Sequence, residues 1–329
     1  MTEVLYATRG TQIGVESTPQ TGVAAGKKFT GISISPAVKL EAAKFRAIGN
    51  KFPSVVAPNK EWVTAKVSGF PTYDEIVYLL SGLCYAAPAQ QGGTAAYKWT
   101  GAPALSSADS YKTYSVEQGD SVRAQKFYGG QVTDLGFDFA RGGISLNGNL
   151  VGLALQDNAT MTGTPTVLPA IPILPTQVDV KISTVGQSSL AAASALTRCI
   201  SCGWSFGNKW SLPWMLGTAQ TGFIAGIETA EPALTAKLKL AADSVGLGLL
   251  TQMRAGSSVW MRIKATGALI ASTYYYDFQT DLALKIVGEP SEFSDEDGIF
   301  GMEWNFEGAY DSTWTKTIQW DVINTTTAL

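Results

Sequence analysis

Long runs of this chain alternate apolar and polar residues with a period of two, and that pattern constrains the fold more than any other feature. Val63, Ala65 and Val67 point one way, while Trp62, Thr64 and Lys66 point the other. Leu135, Phe137 and Phe139 alternate with Asp134, Gly136 and Asp138. After the turn Arg141–Gly143 the pattern resumes with Ile144, Leu146 and Leu150 against Ser145, Asn147 and Asn149. This predicts a β-hairpin with one buried face. Phe300, Met302, Trp304 and Phe306, followed by Ile318, Trp320 and Val322, predict a second hairpin turning through Glu307–Asp311. Abundant glycine (34 residues) suits many short strands joined by turns.

Two short helices interrupt the strands. Thr72 and Glu75 have capping-box spacing, and Tyr73, Ile76, Val77, Leu80 and Leu83 follow as an apolar stripe. Asp243 is the expected N-cap of the second helix. Val245, Leu249, Leu250 and Met253 form its stripe, and Gly256 closes it. These elements recur in order. Strand Glu61–Gly69 matches Ala233–Leu240, Ala96–Thr100 matches Ser258–Ala265, and hairpin Val132–Val151 matches Ile299–Ile323. An offset near half the chain signals an internal duplication. The expected fold is mainly β, with two tandem β-sandwich or half-barrel domains, 1–159 and 178–329. Each carries one short helix, and a Pro-rich connector, 160–177, joins them.

Composition narrows the function. Histidine is absent, which excludes His-dependent triads and His-based zinc sites. Only 16% of residues are charged, against ~25% in ordinary globular chains, so partner subunits are expected to cover part of the surface. Nine tryptophans fit core and interface packing. A net charge of −3 with no basic run argues against a grip on duplex phosphates. Cys199 and Cys202 form a C-x-x-C on an expected strand, where residues three apart face opposite ways; they read as two packed thiols. No cofactor or metal is expected. The start of the chain lacks the apolar core of a signal peptide, and the longest apolar stretch, Val167–Pro175, is broken by prolines. Carboxylate pairs for glycoside hydrolysis, Glu303 with Asp321 or Asp295 with Asp297, can be named, but no cleft is marked.

The stretch Gln12–Pro19 resembles the opening of bacteriophage tail tube proteins. The likeness continues through Lys60–Gly69, the Tyr73–Leu80 helix, Phe127–Leu135 with its hairpin, and the last strand, Thr315–Asn324. The resemblance implies sheets joined side by side into a ring, and rings stacked into a hollow tube that passes DNA into the host. It implies no catalytic residue. With two tube-type domains per chain, a trimeric pseudo-hexameric ring is expected, with a hexameric ring as the alternative. The partners implied are other copies of the chain and the tape measure, terminator and tip proteins of a non-contractile tail. The location implied is the virion tail, after synthesis in the bacterial cytoplasm, with no membrane contact. A carbohydrate-binding or adhesin module, or a terminator or connector ring, is the other reading.

Two loops are candidates for self-assembly: a basic one with Lys44, Arg46, Lys51 and Lys60, and an acidic one with Glu289, Glu292, Asp295, Glu296 and Asp297. They are expected to meet between stacked rings. The N-terminal arm, Met1–Gly26, is a third candidate. Asp134, Asp138, Glu303 and Asp321 are candidates for a wall that repels phosphate.

Overall fold

The computed structural model describes residues 9–120, 122–207, 209–217, 222–223, 226–228, 231–241, 244–291, 293–296 and 298–329, apart from the side chains of 244–247 and 296. The fold is mainly β, with two α-helices, Ile76–Leu83 and Ser244–Ala255, among the described residues.

One broad antiparallel sheet runs through both halves of the chain. From edge to edge its strands are Ile32–Phe45, Val55–Gly69, Gly143–Gly152, the distal part of Ala124–Ala140, Cys199–Gly207, Ala233–Ala241 and Ile299–Gly308, whose far side is flanked by Ser294–Glu296 at one end and by Leu284–Ile286, the end of strand Tyr274–Ile286, at the other. A second layer contains, in order, Val178–Ser183, Ser258–Ala271, Tyr274–Ile286, Ile318–Asn324, Tyr97–Gly101 and Ala89–Gln90. A third group holds Thr166–Val167, Lys27–Phe29, Gly10–Val15, Tyr114–Gly119, the proximal part of Ala124–Ala140 and Gln156–Ala159. Alternation assigns one face of the broad sheet to the core. Phe137 lies 5.0 Å from Phe278 of the second layer, and Phe206 lies 6.4 Å from Trp320. Each such side chain contributes about 1.5–3 kcal/mol on burial.

The first helix is buried on every side, including Tyr78 and Leu79. Thr72 Oγ1 accepts from the Glu75 N–H at 3.2 Å, one half of the capping box. The Glu75 carboxylate does not return to Thr72. It accepts from Thr30 N–H and from Gly31 N–H, tying the helix to the turn before the edge strand. Gly256 closes the second helix with φ +62°, as expected; Asp243 and the Val245 side chain lie outside what is described. Glu16 is a buried staple. Its carboxylate accepts from Thr113 Oγ1, Ser115 Oγ and the N–H groups of Gln20 and Gly129.

Two expectations change. Ile299–Gly308 and Ile318–Asn324 are strands but do not pair as a hairpin. The first pairs with Ala233–Ala241 in the broad sheet (Glu303 opposite Lys239), the second with Tyr274–Ile286 in the second layer (Trp320 opposite Thr280). Alternation reports which face is buried, not which strand lies alongside. The connector, in turn, is pinned to the first half. Thr166–Val167 pairs with Lys27–Phe29, and Ile173 N–H donates to Pro71 O at 3.0 Å. Leu168 and Ile173 are buried, and this apolar anchoring is why the Pro-rich stretch does not behave as a free linker.

Pairing also shows how the halves correspond. Gly10–Val15 pairs with Tyr114–Gly119, which pairs with Ala124–Ala140, which carries Gln156–Ala159 on its other side. In the same roles stand Val178–Ser183, Ser258–Ala271, Tyr274–Ile286 and Ile318–Asn324. In the broad sheet, Ile32–Phe45, Val55–Gly69, Gly143–Gly152 and the distal part of Ala124–Ala140 are matched by Cys199–Gly207, Ala233–Ala241, Ile299–Gly308 and Ser294–Glu296. The counterpart of Ser258–Ala271 is therefore Tyr114–Gly119, not Ala96–Thr100. The pairing does not stop at the connector. Leu135–Ala140 of the first half and Ser201–Phe206 of the second are directly bonded neighbours.

Candidate assembly surfaces and inner wall

The outward face of the broad sheet is concave. Its groove, about 570 Å³, is lined by Lys66, Asp134, Asp138, Asn149, Lys237 and Glu307, among others. Lys237 donates to Asp138 at 2.8 Å, and that bond raises the lysine pKa. Glu303 sits on this face opposite Lys239. Asp321 does not. It lies in the second layer, held by Lys98 at 3.0 Å and Thr100 Oγ1 at 2.7 Å. The four expected wall carboxylates thus reduce to three on this face, and lysines intersperse them, so the face is polar and mixed in sign rather than uniformly acidic. Glu303 and Asp321, on different layers, do not face each other across a cleft.

The edge hairpin Ile32–Phe45/Val55–Gly69 extends beyond the body. Residues 37–59 are almost wholly exposed, and nine residues of strand carry this arm out by ~30 Å. Val38, Leu40, Phe45, Ile48, Phe52, Val55 and Val56 are all exposed on it. A lone two-stranded ribbon is marginal in water, and so much exposed apolar surface makes this arm a candidate interaction surface. Lys44, Arg46 and Lys51 stand on this arm. Lys60, at its base, already pairs with Glu41 at 3.3 Å and stacks over Trp214.

The acidic residues lie at the other end of the strands. Asp295 and Glu296 belong to the short strand Ser294–Glu296, and Asp295 accepts from Gly298 N–H at 2.7 Å to close the turn. Glu289 is exposed just before it. Glu292 and Asp297 lie outside the described residues. Gly301 pairs opposite Ala241, and Leu146 opposite Gly69, so both short turns sit at the sheet end away from the arm tip. The basic and acidic candidates are therefore not brought together within one chain. They occupy opposite lateral edges and opposite ends. Met1–Thr8 of the N-terminal arm are not described; Gly10–Val15 is an inner strand.

Alternation gave no hint of two further features. Lys209 is fully buried. Its Nζ donates to Asp109 Oδ2 and Leu83 O, both at 2.5 Å, with Glu228 at 3.4 Å. This ties the second half to the 102–113 loop of the first. The other is a bulge at Cys199–Ser201. It shifts the register by one, so Cys199 and Cys202 share a face instead of opposing each other. A hydrogen bond between the thiols lowers the Cys199 pKa and raises that of Cys202, which burial raises further. Burial also pushes Cys84 up to about 11. Cys199 should therefore alkylate with iodoacetamide well before Cys84 or Cys202 at pH 8. Peptide mass spectrometry reads this, and equal rates at Cys202 would contradict it.

No protein-family model and no curated protein matches the chain. Among the described residues no group of three or more Cys, Asp or Glu is placed to hold a metal ion, and no helix is long and apolar enough to cross a membrane.

Proposed function

We propose that this chain is the tail tube subunit of a long, non-contractile-tailed bacteriophage, a structural protein that assembles into stacked rings around a DNA-conducting lumen. The observation that carries the reading is the doubled strand pairing. Two units of one pattern stand side by side, joined edge to edge in one sheet, with an open edge of each kind left at the ends. Such a head-to-tail joint closes into a ring when the rotation permits. The concave polar face then lines the lumen, and the mixed charge gives phosphates no continuous grip.

Size favours three chains per ring. Eight strands from each of three chains give 24 strands. At ~4.8 Å spacing and ~40° tilt these enclose a barrel ~48 Å across the backbone. Side chains on both walls leave a lumen of ~40 Å, which clears a duplex roughly 20 Å wide. Six chains would double the diameter to no purpose. The first test is negative-stain electron microscopy of concentrated protein, alone and with a tail initiator complex. Hollow tubes with threefold rings are the expected result. A chain that stays monomeric with the initiator present would refute the reading.

In this reading the arm reaches axially, placing Lys44, Arg46 and Lys51 against the acidic turn end of the next ring. Reversing Lys44 and Arg46 to glutamate should block tube growth at 0.15 M salt and leave the monomer's melting temperature unchanged, because both residues are exposed on the arm. Sedimentation and circular dichroism read the two outcomes. Normal tubes from this variant would remove the arm from the stacking contact.

A further inference from the structure

The strand correspondence fixes which residues should meet where one chain joins the next. The two-residue turns after Ala140 and after Glu296 align the first unit's Asp138, Phe137 and Ile144 with Ser294, Phe293 and Phe300. On the other edge, Val63 opposite Val38 and Leu234 opposite Phe206 align Ser35, Pro36 and Val38 with Gly203, Trp204 and Phe206. Burial differs sharply between these counterparts. At the internal joint Phe137, Ile144 and Phe206 are 1%, 2% and 3% exposed. Phe293, Phe300 and Val38 are 62%, 70% and 49% exposed. The same positions are dry where a second unit abuts and wet where the chain runs out.

We infer that a second copy of this chain covers both open edges by repeating the internal joint. The strand at Ser294 of one copy then runs antiparallel to the strand at Ser35 of the next, with Phe293 and Phe300 seated against Pro36 and Val38. This deepens the tube reading and rests on it for ring closure, though not for the contact itself. Transferring the internal register, in which Asp138 faces Gly203 and Phe137 faces Trp204, sets Ser294 opposite Ser35 and Phe293 opposite Pro36. Two features keep the edge from pairing indiscriminately. Pro36 has no N–H to offer, and the Ile34 N–H is directed to Thr11 Oγ1 at 3.4 Å. The even-numbered amides therefore face the open edge. Ser35 would sit in a non-hydrogen-bonded pair, where side chains approach most closely. Charge agrees: the segment holding Ser294 is acidic at Glu289 and Asp295, while the opposing strand continues through Lys39.

The test is register-specific crosslinking in a Cys199→Ser background. Mild oxidation of concentrated Ser35→Cys/Ser294→Cys protein should give a covalent ladder on denaturing gels. A mixture of the two single variants should give dimers and stop there. Ser33→Cys/Ser294→Cys, two residues out of register, should give neither. On unmodified protein, hydrogen exchange at residues 293–295 and 36–40 should slow on assembly, which keeps the inference testable if a cysteine variant misfolds. Tubes by microscopy with no crosslink and no added protection would overturn the joint and leave the tube reading standing. Crosslinked ladders without tubes would establish the joint and sink the tube. Crosslinking in the shifted pair alone would also overturn the inference.

Discussion

Replacing Lys209 by methionine should cost about 3–5 kcal/mol of folding stability, the range for stranding a buried partner charge. Asp109 and Glu228 both approach the Lys209 ammonium, and the Asp109 side chain is only 4% exposed. Without the lysine, Asp109 is left in a dry site without its counter-charge. The Leu83 carbonyl also loses its donor. Methionine keeps the packing against Trp210, so the loss reports charge rather than volume. For a chain of this size the melting temperature should fall by roughly 4–7 °C. Neutralising the partners as well, in Lys209→Met/Asp109→Asn/Glu228→Gln, should recover most of the loss, because no uncompensated carboxylate remains. Thermal and urea unfolding measure both variants. A single variant as stable as the parent would mean the carboxylates are already satisfied by water. The cluster joins a short strand of the second half to a loop of the first, so its loss should loosen the seam between them.

The faces of the strands were legible in the sequence, and their partners were not. Val63, Ala65 and Val67 are buried, as alternation required. The same alternation at Phe300–Phe306 and Ile318–Val322 suggested one hairpin, yet those strands lie in different layers. Side-chain period carries no information about which strand lies alongside. Cys199 and Cys202 were assigned to opposite faces because a single extra residue in a strand leaves no composition signal. Lys209 was invisible for a similar reason. Its partners are 100 residues before it and 19 after it, and a lysine beside Trp210 reads as an ordinary surface cation. The arm's charges were legible at Lys44, Arg46 and Lys51. Its reach was not: the basic stretch read as a loop, where the backbone pairs from Ile32 to Phe45.

Truncating Phe137 to alanine should destabilise the single chain by about 3–5 kcal/mol, whereas Phe293→Ala should change it by less than about 0.5 kcal/mol. The two phenylalanines hold the same position in the two units, so the contrast isolates what covers them. Phe137 has its ring 5.0 Å from Trp204 and 5.0 Å from Phe278, both contributed by the second half. Its loss leaves a cavity at the seam and removes three aromatic contacts, the third to Phe139 at 6.1 Å. Phe293 touches Phe300 at 6.0 Å and is 62% exposed. Urea unfolding gives both stabilities, and sedimentation at high concentration gives assembly. Phe293→Ala should fold normally and fail to associate, because it removes an anchor that only a second copy would bury. Equal destabilisation of the monomer by both variants would show that Phe293 already has its cover within one chain, and the case for a neighbouring copy at that edge would fall with it.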